Sequence, residues 1–304
     1  MAASIRQWDT DWFNQFKTVM PTSFTNLQVY PSNPMAWINV MNVPFGNKQA
    51  QRAIRMPDQD VQIAKEVKYL DKYAARQVQT ADMPAIFDSL RIEEEYYAGD
   101  VVNAIGHVGD LFENFQDGLA NFVYTGTSLD PLAYGLMDPG AGTGNTTIAR
   151  PDVCVQVTTA GKWDIPGNMM EDLAQADAGL TKQGFFGPRR VLAPDMVKPY
   201  LSTVLTSTTT PYRDWISTVG GYPITFTPLV DPDAAINTFD VFMVDENAFD
   251  LFMTPLKVRG YFDNNTEDFV WHWKTRAYLL ARPKNNGTDW MKGIIKINQI
   301  DWTT

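Results

Sequence analysis

The chain has 304 residues, 44% of them hydrophobic and 20% charged, with a net charge of −10. That is enough apolar material for one large core or two modest ones and excludes a disordered polypeptide, while the acidic balance argues against a sequence-reading nucleic-acid binder. A single cysteine, Cys154, excludes an internal disulfide framework and any multi-thiolate metal site. Its neighbours "DVCVQV" alternate as in a strand, so Cys154 reads as a small buried hydrophobe. No run approaches the 18 or so consecutive apolar residues of a membrane span, and the N-terminal stretch carries charges where a secretory signal needs an apolar core. The expectation is synthesis in the cytosol and no membrane partner.

Taken in chain order, the first element is a helix capped by Ser4, in which Ile5, Trp8, Trp12, Phe13, Phe16, Val19 and Met20 recur at helical steps until Pro21. Three destinations are open to this aromatic stripe: its own domain, a neighbouring subunit, or the interior wall of an assembly. After a Pro- and Asn-rich connection, the segment Asn47 to Tyr73 holds six basic residues (Lys48, Arg52, Arg55, Lys65, Lys68, Lys72) and four acidic ones (Asp58, Asp60, Glu66, Asp71). Val61, Ile63, Val67 and Tyr69 alternate with Gln62, Glu66 and Lys68, and "MPDQD" supplies a turn. The segment reads as a long hairpin too polar to bury both faces. A charge run is a solvated face by default, and a projecting ribbon of mixed charge also suits contact with another copy of the chain.

Asp100 is a plausible N-cap for a long helix whose stripe is Val101, Ile105, Val108, Phe112, Phe115, Leu119 and Phe122. Gly106, Gly109 and Gly118 weaken it by up to about 1 kcal/mol each, so packing must hold it. The stretch "DPLAYGLMDPGAGTGNTT" follows. Further elements are a helix near Asp164 to Thr181, a strand "RRVLA", a helix from Pro194 to Thr206, and strands "YPITFTPLV", "DVFMVD" and "EDFVWHWKTRAYLLARP". Asn286-Gly287 signals a turn, which predicts that two antiparallel strands close the chain.

Familiar chemistry is missing. "GAGTGNTT" lacks the lysine of a phosphate-binding loop and follows a helix instead of a strand, so no nucleotide or other cofactor is expected. His107 and His272 have no ligand-spaced partners, so no metal is expected. No nucleophile elbow occurs. Glu93, Glu94 and Glu95 could serve a glycosidase with the tryptophans stacking sugars, but adjacent carboxylates point apart and do not flank one bond. Sequence reading therefore gives no catalytic residue, and an enzyme is the weaker hypothesis.

The order of elements is informative. "FVYTGTSLDPLAYGLM", an apolar helix end followed by Gly126 and then by Gly135-Leu136, together with "GPRRVLAPDMVKPYL" and the closing strands, resembles the Hong Kong 97-type major capsid protein of tailed viruses. It is similar in order to the related encapsulin shell proteins. The resemblance covers residues 80 to 304 and implies an α+β fold with an N-terminal arm at 1–35, an extended loop at 36–90, a peripheral domain with a spine helix at 91–147 and 245–304, and an axial domain at 148–244. In that light Gly135, Gly140, Gly142 and Gly144 form a hinge out of the spine helix, because glycine adopts positive φ without steric cost. Trp8, Trp12, Phe13, Phe16, Lys48, Arg52, Arg55, Lys65 and Lys68 become candidate contacts between subunits.

The resemblance further implies that the partner is the chain itself, as pentamers and hexamers of a closed shell in a virion. Portal, scaffolding, decoration or minor capsid proteins are further partners, and packaged DNA is touched weakly and without sequence preference. Alternatives are an encapsulin-like shell around protein cargo and a carbohydrate-active enzyme. Some family members join subunits through a Lys to Asn isopeptide bond, but no partner Asn or assisting Glu matches here, and no crosslink is expected.

Overall fold

A computed structural model describes residues 34–44, 46–55, 76–93, 101–127, 129, 133–136, 154–158, 162–163, 165–203, 210–218, 220–230, 238–263, 266, 268–281 and 293–301. Its strands are β1 (Asn39–Asn42), β2 (Gln49–Arg55), β3 (Arg76–Asp82), β4 (Ala85–Glu93), β5 (Gly126–Thr127), β6 (Ala133–Tyr134), β7 (Cys154–Thr158), β8 (Arg189–Ala193), β9 (Ile224–Phe226), β10 (Thr238–Asp245), β11 (Phe249–Met253), β12 (Lys257–Asp263), β13 (Asp268–Ala281) and β14 (Ile294–Asp301). Its helices are α1 (Val101–Thr125), α2 (Pro166–Lys182), α3 (Lys198–Leu201) and α4 (Tyr212–Thr218). The fold is mixed α+β, with two five-stranded sheets.

The first sheet is organised by β13. Its N-terminal half pairs antiparallel with β4 and β12, its C-terminal half pairs with β11, and β1 lies parallel on β11. Alternation decides the faces: Trp271, Trp273, Thr275 and Ala277 are buried, while Lys274 is exposed. The helix α1 packs against β4 and β13, and the ring of Phe112 lies 6.4 Å from Trp273. Phe112, Phe115, Leu119, Phe122 and Val123 are buried, as the stripe predicts. At about 1.5–3 kcal/mol per buried side chain, five such residues outweigh the roughly 1 kcal/mol that Gly118 costs the helix.

The second sheet has the order β7-β14-β10-β8-β9. The helix α2 packs on β14, β10 and β7 through Met169, Leu173, Ala176 and Leu180. Asp172 is buried on the same helix face, and the indole N–H of Trp163 donates to its Oδ2 at 2.8 Å, which answers the cost of burying a carboxylate. One contiguous apolar cluster joins Leu119 of α1, Phe249 of β11 and Ile295 of β14, so both sheets share a core.

Three expectations change. β13 and β14 belong to different sheets, so the two closing strands do not pair with each other, and β14 sits beside β7 and β10; the expected turn at Asn286-Gly287 lies outside the described residues. The strand after Asn47 pairs with a segment beyond Tyr73: β2 pairs with β3, from Gln49 opposite Asp82 to Arg55 opposite Arg76. The expected return strand around Val61 to Tyr69 lies outside the described residues. The helix expected from Pro194 to Thr206 is a 3-10 turn at Asp195–Val197 and the single turn α3. The turn closes tightly: the Ser202 amide bonds the carbonyls of Lys198 and Pro199, the Thr203 amide takes an i−3 bond to Tyr200, and both hydroxyls donate back to Lys198 and Tyr200 at 2.7 and 2.6 Å.

The exit of α1 is fixed closely. Gly126 takes φ 72°, β5 turns back to pair with β6, and the amide of Leu136 donates to the carbonyl of Val123 at 2.8 Å. A Cβ on Gly135 would lie 2.2 Å from the carbonyl oxygen of Tyr124, so glycine is required there by close approach. Gly135→Ala is expected to destabilise the chain by about 3 kcal/mol, the upper end for overpacking. Gly118→Ala, where nothing lies within 4 Å of the added methyl, is expected to stabilise by up to about 1 kcal/mol. Urea midpoints of the two variants check both signs.

Candidate assembly surfaces

The most polar buried cluster is built on the pair Arg189-Arg190 at the start of β8. Arg189 is 8% exposed and donates from Nε to Asp177 of α2 at 2.7 Å and from Nη1 to Asp245 at the end of β10. The same guanidinium donates to the carbonyls of Gly187 at 3.0 Å and Phe185 at 2.6 Å. Asp245 also accepts the backbone N–H groups of Gly187 and Asn247, at 2.7 and 2.8 Å. One cation thus closes the connection between α2 and β8 and ties it to β10. Arg190 pairs with Glu246 at 2.7 Å and lies 5.4 Å from the Trp37 ring, which links the second sheet to the segment before β1.

Tyr222 donates to the other oxygen of Asp177 at 3.1 Å. Burial, then the charge and hydrogen bond of Asp177, push its phenol pKa up, against the opposing pull of Arg189. The group is raised in the folded state, so its contribution is fully present below about pH 10 and declines as pH rises toward the folded value. Burial likewise pushes the phenol of Tyr124 up.

Between the two carbonyls that Arg189 holds stands Phe186, 76% exposed, while its neighbour Phe185 is 2% exposed and packs inward. Phe87 on β4, 72% exposed, is a second outward aromatic. Neither was singled out in the sequence. The glycine-bracketed doublet "GFFG" was the available signal, since two adjacent side chains on one extended loop cannot both face the core.

Of the residues the sequence does single out, Lys48 is exposed at the foot of the β2–β3 ribbon, and Arg52 and Arg55 lie on β2. Gly135 packs against the end of α1. Trp8, Trp12, Phe13, Phe16, Lys65, Lys68, Gly140, Gly142 and Gly144 lie outside the described residues. Glu93 ends β4 opposite Asp268, and Glu94 and Glu95 are outside the described set. His272 Nε2 is 3.3 Å from the Tyr261 hydroxyl. Among the described residues no group of three His, Cys, Asp or Glu side chains could hold a metal ion, and no helix is long and apolar enough to cross a membrane.

No family model matches the chain, and no curated protein matches it. Solved structures do match. The capsid of the native GTA particle, computed with C5 symmetry, superimposes with a TM-score of 0.60 at 13% identity, over 90% of this chain and 91% of that one. The capsid of Myoviridae phage XM1 matches with a TM-score of 0.58 at 12% identity, over 87% and 90%. A virus-like particle from Pyrococcus furiosus matches with 0.57 at 10% identity, over 95% and 100%. The chain has the Hong Kong 97-type capsid fold. At such identities what is shared is the packing order of elements and not a set of side chains.

Within this fold, the Arg189 cluster holds a loop in place. Arg189→Met leaves Asp245, 1% exposed, without its countercharge and is expected to cost about 3–5 kcal/mol. Arg189→Met combined with Asp245→Asn is expected to recover part of that loss. Thermal unfolding of the single and double variants is the check, and equal losses in both would show that the countercharge is not the cause.

Proposed function

We propose that this chain is a viral major capsid protein that self-assembles, as pentamers and hexamers, into an icosahedral shell enclosing double-stranded DNA. The observation that carries the reading is the extent of the match: nine-tenths of this chain lies on nine-tenths of the GTA capsid chain, with no large part left over for another task. No catalytic step belongs to the reading. Its place of action is the virion.

The ribbon supports it. A two-stranded ribbon is marginally stable in water by itself, and β2–β3 has polar side chains at most positions, so its stability calls for a surface to lie on. A neighbouring subunit supplies one. We assign residues 1–35 to an arm, 36–90 to the extended loop, 91–147 with the strands from 245 to the peripheral domain, and 148–244 to the axial domain, with β14 placed in the axial sheet. The glycines at 140, 142 and 144 keep their proposed hinge role between the last two. Each copy then meets several others, and many modest contacts sum to a shell that comes apart only when they fail together.

A second reading, an encapsulin-like shell around protein cargo, has less support: the match to the Pyrococcus furiosus virus-like particle covers the whole of that chain, but so does the match to the Mycobacterium phage Adephagia structure. The contents of the particles separate the two: nuclease-resistant DNA supports the first, copurifying protein the second.

Electron microscopy of the purified chain is expected to show hollow closed particles. Compact monomers at every salt and protein concentration would sink both readings. Phe186→Ser is expected to leave the subunit's melting temperature almost unchanged. If Phe186 anchors a subunit contact, the substitution weakens it by roughly 2 kcal/mol, near 30-fold in association constant, and raises the concentration at which particles appear.

A further inference from the structure

The chain passes between the two five-stranded sheets after β4, after β10 and after β13. Of these passages the one after β10 lies wholly within the described residues, and it is short: the 3-10 turn Glu246–Ala248 alone separates β10 from β11. Its backbone is held on both sides. The carboxylate of Asp245 accepts the Asn247 amide at 2.8 Å, and the Glu246 amide donates to the carbonyl of Pro188 at 2.9 Å. A Cβ on Gly293, where β14 begins, would collide with the Ala248 methyl.

Arg190 reaches across this passage. From β8, in the second sheet, its Nε donates to Glu246 Oε1 at 2.7 Å and its Nη1 to the hydroxyl of Thr225, on β9, at 3.0 Å. The same guanidinium lies 5.4 Å from the centre of the Trp37 ring, within cation–π range. Trp37 belongs to the first module: its amide and that of Ile38 donate to the Pro34 carbonyl at 3.2 and 2.9 Å, and the turn Pro34–Ala36 packs on α1. Tyr124, in the last turn of α1, is fully buried, which pushes its phenol pKa up, and Arg190 is near enough to act against that rise. One side chain of the second sheet therefore meets the crossing turn, the root of β1 and the end of α1. The Trp37 indole is placed for its face, since its Nε1 is buried and finds no hydrogen-bond acceptor among the described residues.

The two modules also share an apolar core. Apolar contact is non-directional, so it holds two layers together without fixing how far one is turned on the other. A guanidinium fork with two hydrogen bonds and a stacked ring does fix it.

We infer that Arg190 is the brace that sets the angle between the two sheets, and through that angle the curvature at which the shell closes. The inference rests on the reading of the chain as a shell subunit. In a cage of repeated contacts each copy's own shape is repeated at every step, so a small turn inside one copy accumulates into a different closure or into none. The brace selects a particle diameter; it does not hold copies together.

The test is assembly of the purified full chain and its variants, with particle diameters measured on electron micrographs and melting temperatures followed in parallel. The wild type is expected to give one diameter class. Arg190→Met with Glu246→Gln removes the brace without leaving a partly buried carboxylate unpaired, and is expected to lose that single class, giving shells of several diameters or open sheets. Trp37→Leu is expected to do the same, whereas Trp37→Phe keeps a ring over the guanidinium and keeps the single class. A merely stabilising role would lower melting temperature and particle yield and leave the diameter unchanged. Wild-type diameters in the double variant or in Trp37→Leu therefore overturn the inference and leave the shell reading intact, as do several diameters from the wild type or a Trp37→Phe chain that behaves like Trp37→Leu. A folded double variant that forms no particles overturns it too, because a loosened angle does not remove the surfaces that touch. Should the double variant not fold, the Trp37 pair decides by the same diameters; if Trp37→Leu does not fold either, the node is part of the core and the inference fails. Absence of particles from the wild type strikes the shell reading itself.

Discussion

The two unequal faces of β13 govern the rest of the molecule. One strand of 14 residues supplies antiparallel partners for β4, β12 and β11, and through β11 for β1. Its inward side holds the buried Trp271 and Trp273, and Trp273 meets Phe112 of α1, so a helix with glycines in its middle turns is held by that indole and by its own aromatic stripe. Its outward side presents polar and cationic groups to whatever lies beyond. A shift of register by a single residue would exchange the two sets, sending indoles to water and lysine to the core, so the pairing is set by burial more firmly than by strand propensity.

The second sheet depends on a different kind of constraint. Arg189 spends nearly all of its donors inside the chain, on two carboxylates and two carbonyls. Such a pair is weak evidence for stability, because desolvation offsets attraction. What it does supply is a fixed shape: the loop between α2 and β8 has its carbonyls pinned on both sides of Phe186. An exposed aromatic on a loop already in its final conformation loses little entropy when covered, which is the property of a good contact residue.

Much of the architecture was legible because it follows local periodicity. The stripe from Phe112 to Phe122, the helix before Thr181 and the strands "RRVLA" and "DVFMVD" each carry their own pattern. What could not be read depends on partners distant in sequence. β14 follows β13 after a strong turn signal, yet its ladder partners are Cys154 to Thr158 and the strand at Thr238–Asp245, and nothing near Ile294 says so. The return strand "RQVQTAD" holds a single large apolar residue, Val78, and was passed over for the better alternation at Val61 to Tyr69. Gly135 reads as a flexible joint from its composition, whereas its need for glycine is the backbone of Tyr124 pressed against it. Sequence reading singled out the charged ribbon but neither exposed aromatic: the doublet at Phe185-Phe186 signals that one ring faces outward without saying which, and nothing near Phe87 signals its exposure.

The join between the ribbon and the body has a mechanical consequence. Only Met83 and Pro84 separate β3 from β4, and the amide of Met83 is itself bonded to the carbonyl of Lys48 at 2.8 Å. A tug on the ribbon by whatever grips it therefore runs without slack into β4. There it acts along the strand axis, in shear across the nine residue pairs that β4 makes with β13, so that many hydrogen bonds resist at once instead of unzipping one by one. Tension applied to the ribbon would be felt first by β4 and passed through that ladder to β13, the strand on which the rest of the sheet is hung.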